Sequence, residues 1–236
     1  MRSHPAVRHS VSSWQQPLPG SASSERNTLV TRVAERVLAL PVTRPLVAVD
    51  GPTGAGKTSF GHELAERIAG TGRQVLRASL DDFKRPWRDR HLYDRESGEG
   101  YYRNAFDYDA VARLLLEPLG PGGSGDCALC GIDPLTQIDH SAVRTQAADD
   151  AVLIVDGVFA LRPEINRYWN YRIWLAVNAE TAFRRGVERD GADAADVHRD
   201  RYAVAEQVYV DEVDPARRAD IVIDNSAFDR PSIVRG

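Results

Sequence analysis

A single α/β domain built on a parallel sheet is the fold this sequence predicts, and three observations predict it. Short apolar runs at residues 46–49, 151–155 and 171–177, the last interrupted by Arg172, read as strands buried on both faces. Stretches with helical spacing alternate with these runs, the pattern of strand–helix–strand units with right-handed crossovers. A Gly-rich turn at residues 51–56 joins the first run directly to a helical pattern.

In order along the chain, residues 1–25 are rich in Ser, Pro, Gln and His and read as a disordered tail. Leu29, Val33 and Val37 then recur at i+4 and describe an amphipathic helix, ended by Pro41 and Pro45. Residues 46–49 are the first strand. The helix from Lys57 to Ala69 carries Phe60, Leu64 and Ile68 on one face and stops at Gly70-Thr71-Gly72. Residues 74–80 form a second strand, 109–116 a helix, and 126–145 a β-hairpin after the sharp connection at 120–125. Residues 151–155, 171–177 and 221–223 supply strands three to five. Two helices, 179–189 and 199–210, flank a small charged segment that reads as a lid over about 184–200. The expected whole is one domain, 26–236, with a five-stranded parallel sheet, a lid and a hairpin insertion.

Composition narrows the function. The 236 residues carry a formal net charge of −4 with both signs interleaved, which is not the footprint of a nucleic-acid binder. The apolar runs are strand-sized, so no membrane partner is expected, and the N-terminus has no apolar signal core. A cytoplasmic protein acting on a small molecule follows, with a homo-oligomer left open. The two cysteines, Cys127 and Cys130, form a C-x-x-C. They are read as thiols held reduced in a Gly-rich hairpin; a cluster with Asp139 and His140 is the alternative.

Gly51-Pro52-Thr53-Gly54-Ala55-Gly56-Lys57-Thr58 satisfies G-x-x-x-x-G-K-[ST], between a strand and a helix as the motif requires. The fold is therefore expected to be a P-loop NTPase fold. Glycines let the backbone amides wrap a phosphate, and the helix N-terminus adds positive potential. Lys57 then meets the β/γ-phosphates of ATP, with Ser59 closing the loop, and Thr58 offers its hydroxyl to Mg²⁺. Asp156 ends a buried strand at the sheet edge where ligands bind, and is the candidate Mg²⁺ carboxylate. Asp81 and Asp82 end the second strand in the same way. A carboxylate there can accept the proton of an attacking hydroxyl.

Five segments in order resemble the uridine kinase and phosphoribulokinase family. They are Val49-Asp50-Gly51 through Thr58, Ser79-Leu80-Asp81-Asp82-Phe83, Ala105-Phe106-Asp107-Tyr108-Asp109-Ala110, Val155-Asp156-Gly157-Val158-Phe159 and Ala219-Asp220-Ile221-Val222-Ile223-Asp224-Asn225. The P-loop is generic; the Asp-x-Phe and Phe-Asp-x-x-x-Ala segments are more particular. The resemblance implies an ATP- and Mg²⁺-dependent kinase of the 5′-hydroxyl of uridine or cytidine, with Asp81 as catalytic carboxylate. It implies that Asp107 bonds the ribose hydroxyls and that Arg184, Arg185 and Arg189 close over the phosphates. Tyr101, Tyr102 and Arg103, just before Asp107, are candidates for stacking and phosphate contacts on the acceptor, or else pack the loop on the sheet. The hairpin departs from the family's base-reading aromatic and His, which leaves other acceptors open: a sugar phosphate or a pantothenate-like alcohol. A P-loop regulatory ATPase is the alternative from another class; no guanine-reading N-K-x-D motif occurs.

Overall fold

The structure is a computed structural model describing residues 7–14, 20–90, 92–94 and 96–236. Its first half runs β1 (Arg8–His9), α1 (Ser24–Leu38), β2 (Leu46–Asp50), α2 (Lys57–Ala69), β3 (Val75–Ser79), α3 (Gly98–Asn104), α4 (Tyr108–Val111) and α5 (Glu117–Leu119). A short ribbon, β4 (Asp126–Cys127) and β5 (Thr145–Gln146), comes next. The second half runs β6 (Val152–Asp156), α6 (Pro163–Asn166), β7 (Tyr171–Ala176), α7 (Ala179–Asp190), α8 (Ala203–Val213), α9 (Pro215–Arg218), β8 (Ile221–Asp224) and β9 (Ser232–Arg235).

The main sheet has the order β1-β3-β6-β2-β7-β8-β9, parallel except for the antiparallel β9. The five expected strands are its centre, but the sheet has seven, not five. The additions are edge strands: β1 has two exposed residues and β9 is largely exposed, so neither carries an apolar run. β1 also corrects the expectation of a disordered tail over 1–25, because residues 8–9 pair with β3 and Ser12 is buried. Residues 1–6 and 15–19 of that stretch lie outside the described residues. The expected hairpin is reduced to two-residue strands closing a long loop.

Period-two alternation splits the core between the two faces of the sheet. In β2, Val47 and Val49 join Val33, Val37, Phe60 and Leu64 under α1 and α2. Leu46 and Ala48 join the aromatic cluster of Tyr102, Phe106, Phe159 and Tyr209 on the other face. Register then fixes the site. Asp156 stands opposite both Ser79 of β3 and Val49 of β2, so β6 ends level with the strands leading to Asp81 and to the P-loop. No helix of the described residues is long and apolar enough to cross a membrane.

Candidate active site

The loop between β2 and α2 is held from three sides. Gly54 and Gly56 take φ of +80° and +84°, which L side chains rarely adopt, and a Cβ on Gly54 would lie 2.3 Å from the Ala182 carbonyl. Asn225 donates to the Ala55 carbonyl at 2.7 Å and itself accepts from Arg26 at 2.8 Å. Arg26, fully buried, is neutralised by Glu63 at 2.7 Å, so α1 and α2 both anchor the loop. Glu206 of α8 accepts from the Thr53 amide at 2.6 Å. Below, Asp50 accepts from the Gly51 amide (2.7 Å) and the Tyr209 hydroxyl (2.5 Å). Burial pushes the Asp50 carboxyl up to about 6, against these hydrogen bonds.

A cavity of about 600 Å³ opens above the loop, lined by Thr53, Gly54, Gly56, Lys57, Thr58, Ser59, Asp81, Asp156, Arg185 and Arg189, among others. Gly51 and Pro52 instead line a smaller cavity of about 360 Å³ behind the loop, and Ala55 is buried. Lys57 Nζ donates to the Pro52 carbonyl at 2.8 Å; burial lowers its pKa, partly offset by Glu206 and Asp50. The Thr58 hydroxyl donates to Asp156 Oδ2 at 2.6 Å, while Arg77 holds Oδ1 at 2.6 Å. One hydroxyl and one carboxylate beside an amide-lined loop form a hard, oxygen-only donor set. It fits a small divalent cation held mostly by phosphate oxygens and water.

The adjacent carboxylates differ in character. Asp81 lines the cavity with Lys84 Nζ 2.5 Å away. Burial pushes its carboxyl up, but Lys84, then Lys57 and Arg189, outweigh burial and hold it below its usual value. Asp82 points away from the cavity and is 2% exposed; burial pushes it up to about 7 despite hydrogen bonds from Ser12 and Ser10. Of these two neighbours, Asp81 is the one that faces the cavity as an ionised acceptor. On α7, Arg185 donates to the Asn225 and Ser226 carbonyls (3.0 and 2.8 Å), Arg189 pairs with Asp190 (2.6 Å), and Arg184 pairs with Glu188 at the surface.

The structure does not bring Tyr102, Arg103 or Asp107 to this cavity. Tyr102 is buried in the aromatic core, with the Arg162 guanidinium 4.3 Å from its ring centroid. Arg103 is engaged by Glu99 and, at 2.6 Å, by Glu212. Asp107 caps α4 by accepting from the Ala110 amide at 3.0 Å, and Arg85 lies 4.0 Å from its other oxygen. Tyr101, one residue earlier on α3, does line the cavity. Residues not singled out in the sequence also belong here: Arg77, Lys84, Trp14, Tyr202 and Phe228. Arg77 had a signal, a charge inside a buried strand; the others had none. Cys127 and Cys130 are buried, which pushes the thiols up to about 11 and about 12 and disfavours thiolate. Among the described residues, no group of three or more His, Cys, Asp or Glu could hold a metal ion.

Comparison with known proteins places this geometry in context. The family described as phosphoribulokinase / uridine kinase matches residues 46–228. No curated protein matches the chain. Among similar solved structures is one described as a "possible uridine kinase" from Bacillus stearothermophilus, with 20% identity and TM-score 0.64, covering 82% of this chain and 96% of that one. Another, provisionally described as a fructose transport system kinase from Silicibacter sp. TM1040, has 22% identity and TM-score 0.62, covering 78% and 94%. The YGR205w protein has 11% identity and TM-score 0.56, covering 86% and 94%. At these identities the likeness establishes the fold.

Proposed function

The chain belongs to the phosphoribulokinase / uridine kinase family, and on that premise we propose that it transfers the γ-phosphate of ATP to the 5′-hydroxyl of a pyrimidine ribonucleoside, uridine or cytidine. The observation that carries the reading is the gathering of Lys57, Thr58, Asp81 and Asp156 around one cavity. Amides of the 54–58 loop and the N-terminus of α2 bind the β- and γ-phosphates. Lys57 neutralises charge on the transferring group, and Arg189 lies across the cavity to share it. Thr58 and Asp156 would hold Mg²⁺, which when bound neutralises charge on the phosphates. Asp81 orients the acceptor hydroxyl in line and takes its proton as the P–O bond forms. Lys84 fixes the Asp81 carboxylate at 2.5 Å, so orientation rather than basicity is its main contribution. The acceptor's sugar diol is assigned to Asp107 by the family resemblance; one carboxylate oxygen accepts from the Ala110 amide, and the other, 4.0 Å from Arg85, is the one a ligand would meet.

A second reading, an anionic alcohol such as a sugar phosphate, is favoured by Lys84 lying inside the cavity and Asp107 outside it. An acceptor panel separates the two. ADP release from Mg–ATP is measured with uridine, cytidine, 2′-deoxyuridine and sugar phosphates. Uridine- or cytidine-dependent release supports the nucleoside reading. Release only with a sugar phosphate transfers support to the second. Release independent of every acceptor refutes the kinase assignment.

A further inference from the structure

Residues 7–14 lie outside the stretch that matches the family, yet they reach its cavity. β1 pairs in parallel with β3, the strand that leads to Asp81, and the Ser10 amide extends the pairing to the Arg77 carbonyl at 3.2 Å. His9 packs on His62 of α2, with ring centroids 5.4 Å apart. Beyond β1, the Ser10 and Ser12 hydroxyls bond the buried Asp82 carboxyl. Ser13 then clamps Asp133 of the 128–144 loop twice, through its amide at 2.6 Å and its hydroxyl at 2.9 Å. Asp133 also accepts from the Leu135 and Thr136 amides, so the clamp closes on a rigid turn. The chain is thus fastened to β3, α2 and that loop just before Trp14.

Trp14, half-buried, borders two spaces. One is the main cavity, where it joins Thr58, Asp81 and Asp156. The other is a recess of about 40 Å³ shared with His62, Arg77 and Asp82. Thr58 and Asp156 border both, so Trp14 lies at the edge of the cavity on the side of the residues proposed to hold the cation.

We propose that residues 7–14 are an active-site strap whose Trp14 ring walls the phosphoryl-transfer cavity at Thr58 and Asp156 and keeps water from the transferring group. The chemistry gives the wall its purpose. Water admitted there forms the P–O bond in place of the acceptor hydroxyl, the bond to ADP breaks, and phosphate and a proton are released. A flat apolar ring beside a cluster of charges excludes water without competing for the phosphate oxygens. The proposal rests on reading the cavity as a nucleotide site and is independent of which acceptor is used.

The test uses the full chain, Mg–ATP and no acceptor. A fluorescent ATP analogue measures nucleotide binding, and ADP release measures hydrolysis. Trp14→Ala is expected to raise acceptor-independent ADP release at least about threefold while nucleotide binding persists. Trp14→Phe, which keeps a ring, restores most of the wild-type rate. Ser13→Ala, which removes one of the two bonds to Asp133 but leaves the indole, moves hydrolysis in the same direction by less. Nucleotide binding with unchanged ADP release in both Trp14→Ala and Ser13→Ala overturns the strap and leaves the kinase reading standing. Failure of the wild-type protein to bind Mg–ATP removes the nucleotide site, and the strap's role with it.

Discussion

Replacing Arg77 by Met should unbalance the charge at the centre of the site. Arg77 and Asp156 meet at 2.6 Å with side chains each 4% exposed, and Arg77 Nη1 also donates to the Ile154 carbonyl at 2.8 Å. Removing the guanidinium leaves Asp156 a buried carboxylate with only the Thr58 hydroxyl as a side-chain donor. Breaking such a pair from one side costs about 3–5 kcal/mol. For a domain of this size each kcal/mol lowers Tm by about 2–4 °C, so a drop of roughly 6–20 °C is expected. Urea unfolding followed by circular dichroism reads the free energy directly. The same logic requires partial rescue: Arg77→Met combined with Asp156→Asn no longer buries an uncompensated charge and should be more stable than Arg77→Met alone. If the double variant is instead as unstable as the two single losses added, the cost comes from lost packing and not from charge, and the reasoning fails. Gly61→Ala probes the pair from beneath, because its Cβ would lie 2.6 Å from Arg77 Nη2.

Four further tests bear on the site and the fold. Lys57→Ala should nearly abolish phosphoryl transfer while leaving the circular dichroism spectrum and Tm near wild type, since the lysine lines the cavity and not the core. Asp81→Asn should lower kcat by at least about 10²-fold with nucleotide binding retained, and Asp82→Asn by less, checked by steady-state kinetics on both proteins. Asp82 keeps its proton to about pH 7 when folded against an ordinary value of 3.8. The folded chain therefore binds more protons between those values, and its stability should fall as pH rises through that window by on the order of 3–4 kcal/mol. Urea midpoints from pH 4 to 8 should decline less in Asp82→Asn, and parallel curves would refute the assignment. Cys127→Ser with Cys130→Ser should keep activity, and elemental analysis of the wild type should find no stoichiometric zinc.

How much of this was legible in the sequence depends on whether a feature is written locally. The P-loop was legible because residue types and spacing together encode a conformation: φ near +80° at Gly54 and Gly56 demands glycine. The five central strands were legible because burial on both faces demands apolar runs. β1 was not, since a two-residue edge strand with exposed side chains needs only backbone pairing, which any sequence can supply. Tyr101 and Tyr102 show a different limit. Consecutive residues of a helix point about 100° apart, so one lines the cavity and the other fills the core. Nothing in the pair of tyrosines tells which is which; that depends on how α3 is seated against α8 and the sheet. For Asp107 the residues that match a sugar-binding segment also match a helix cap, and in the structure its Oδ1 accepts from the Ala110 amide.

Asp81 and Asp82 carry the point furthest. In sequence they are one repeated residue, and a carboxylate at a strand end is equally plausible chemistry at either position. What separates them is contributed by residues elsewhere in the chain. Lys84, three residues on, holds Asp81 ionised and fixed in the cavity. Burial pushes Asp82 up to about 7 against hydrogen bonds from Ser10 and Ser12, which come from the stretch that its composition alone would set aside as a tail. Two ionised carboxylates side by side would repel each other and raise both pKa values. Burial raises Asp82 while Lys84, Lys57 and Arg189 hold Asp81 low, which separates the two and leaves Asp81 the acceptor that the proposed transfer requires. The segment that supplies those serines also carries Trp14, so the same eight residues reach both Asp82 and the edge of the cavity.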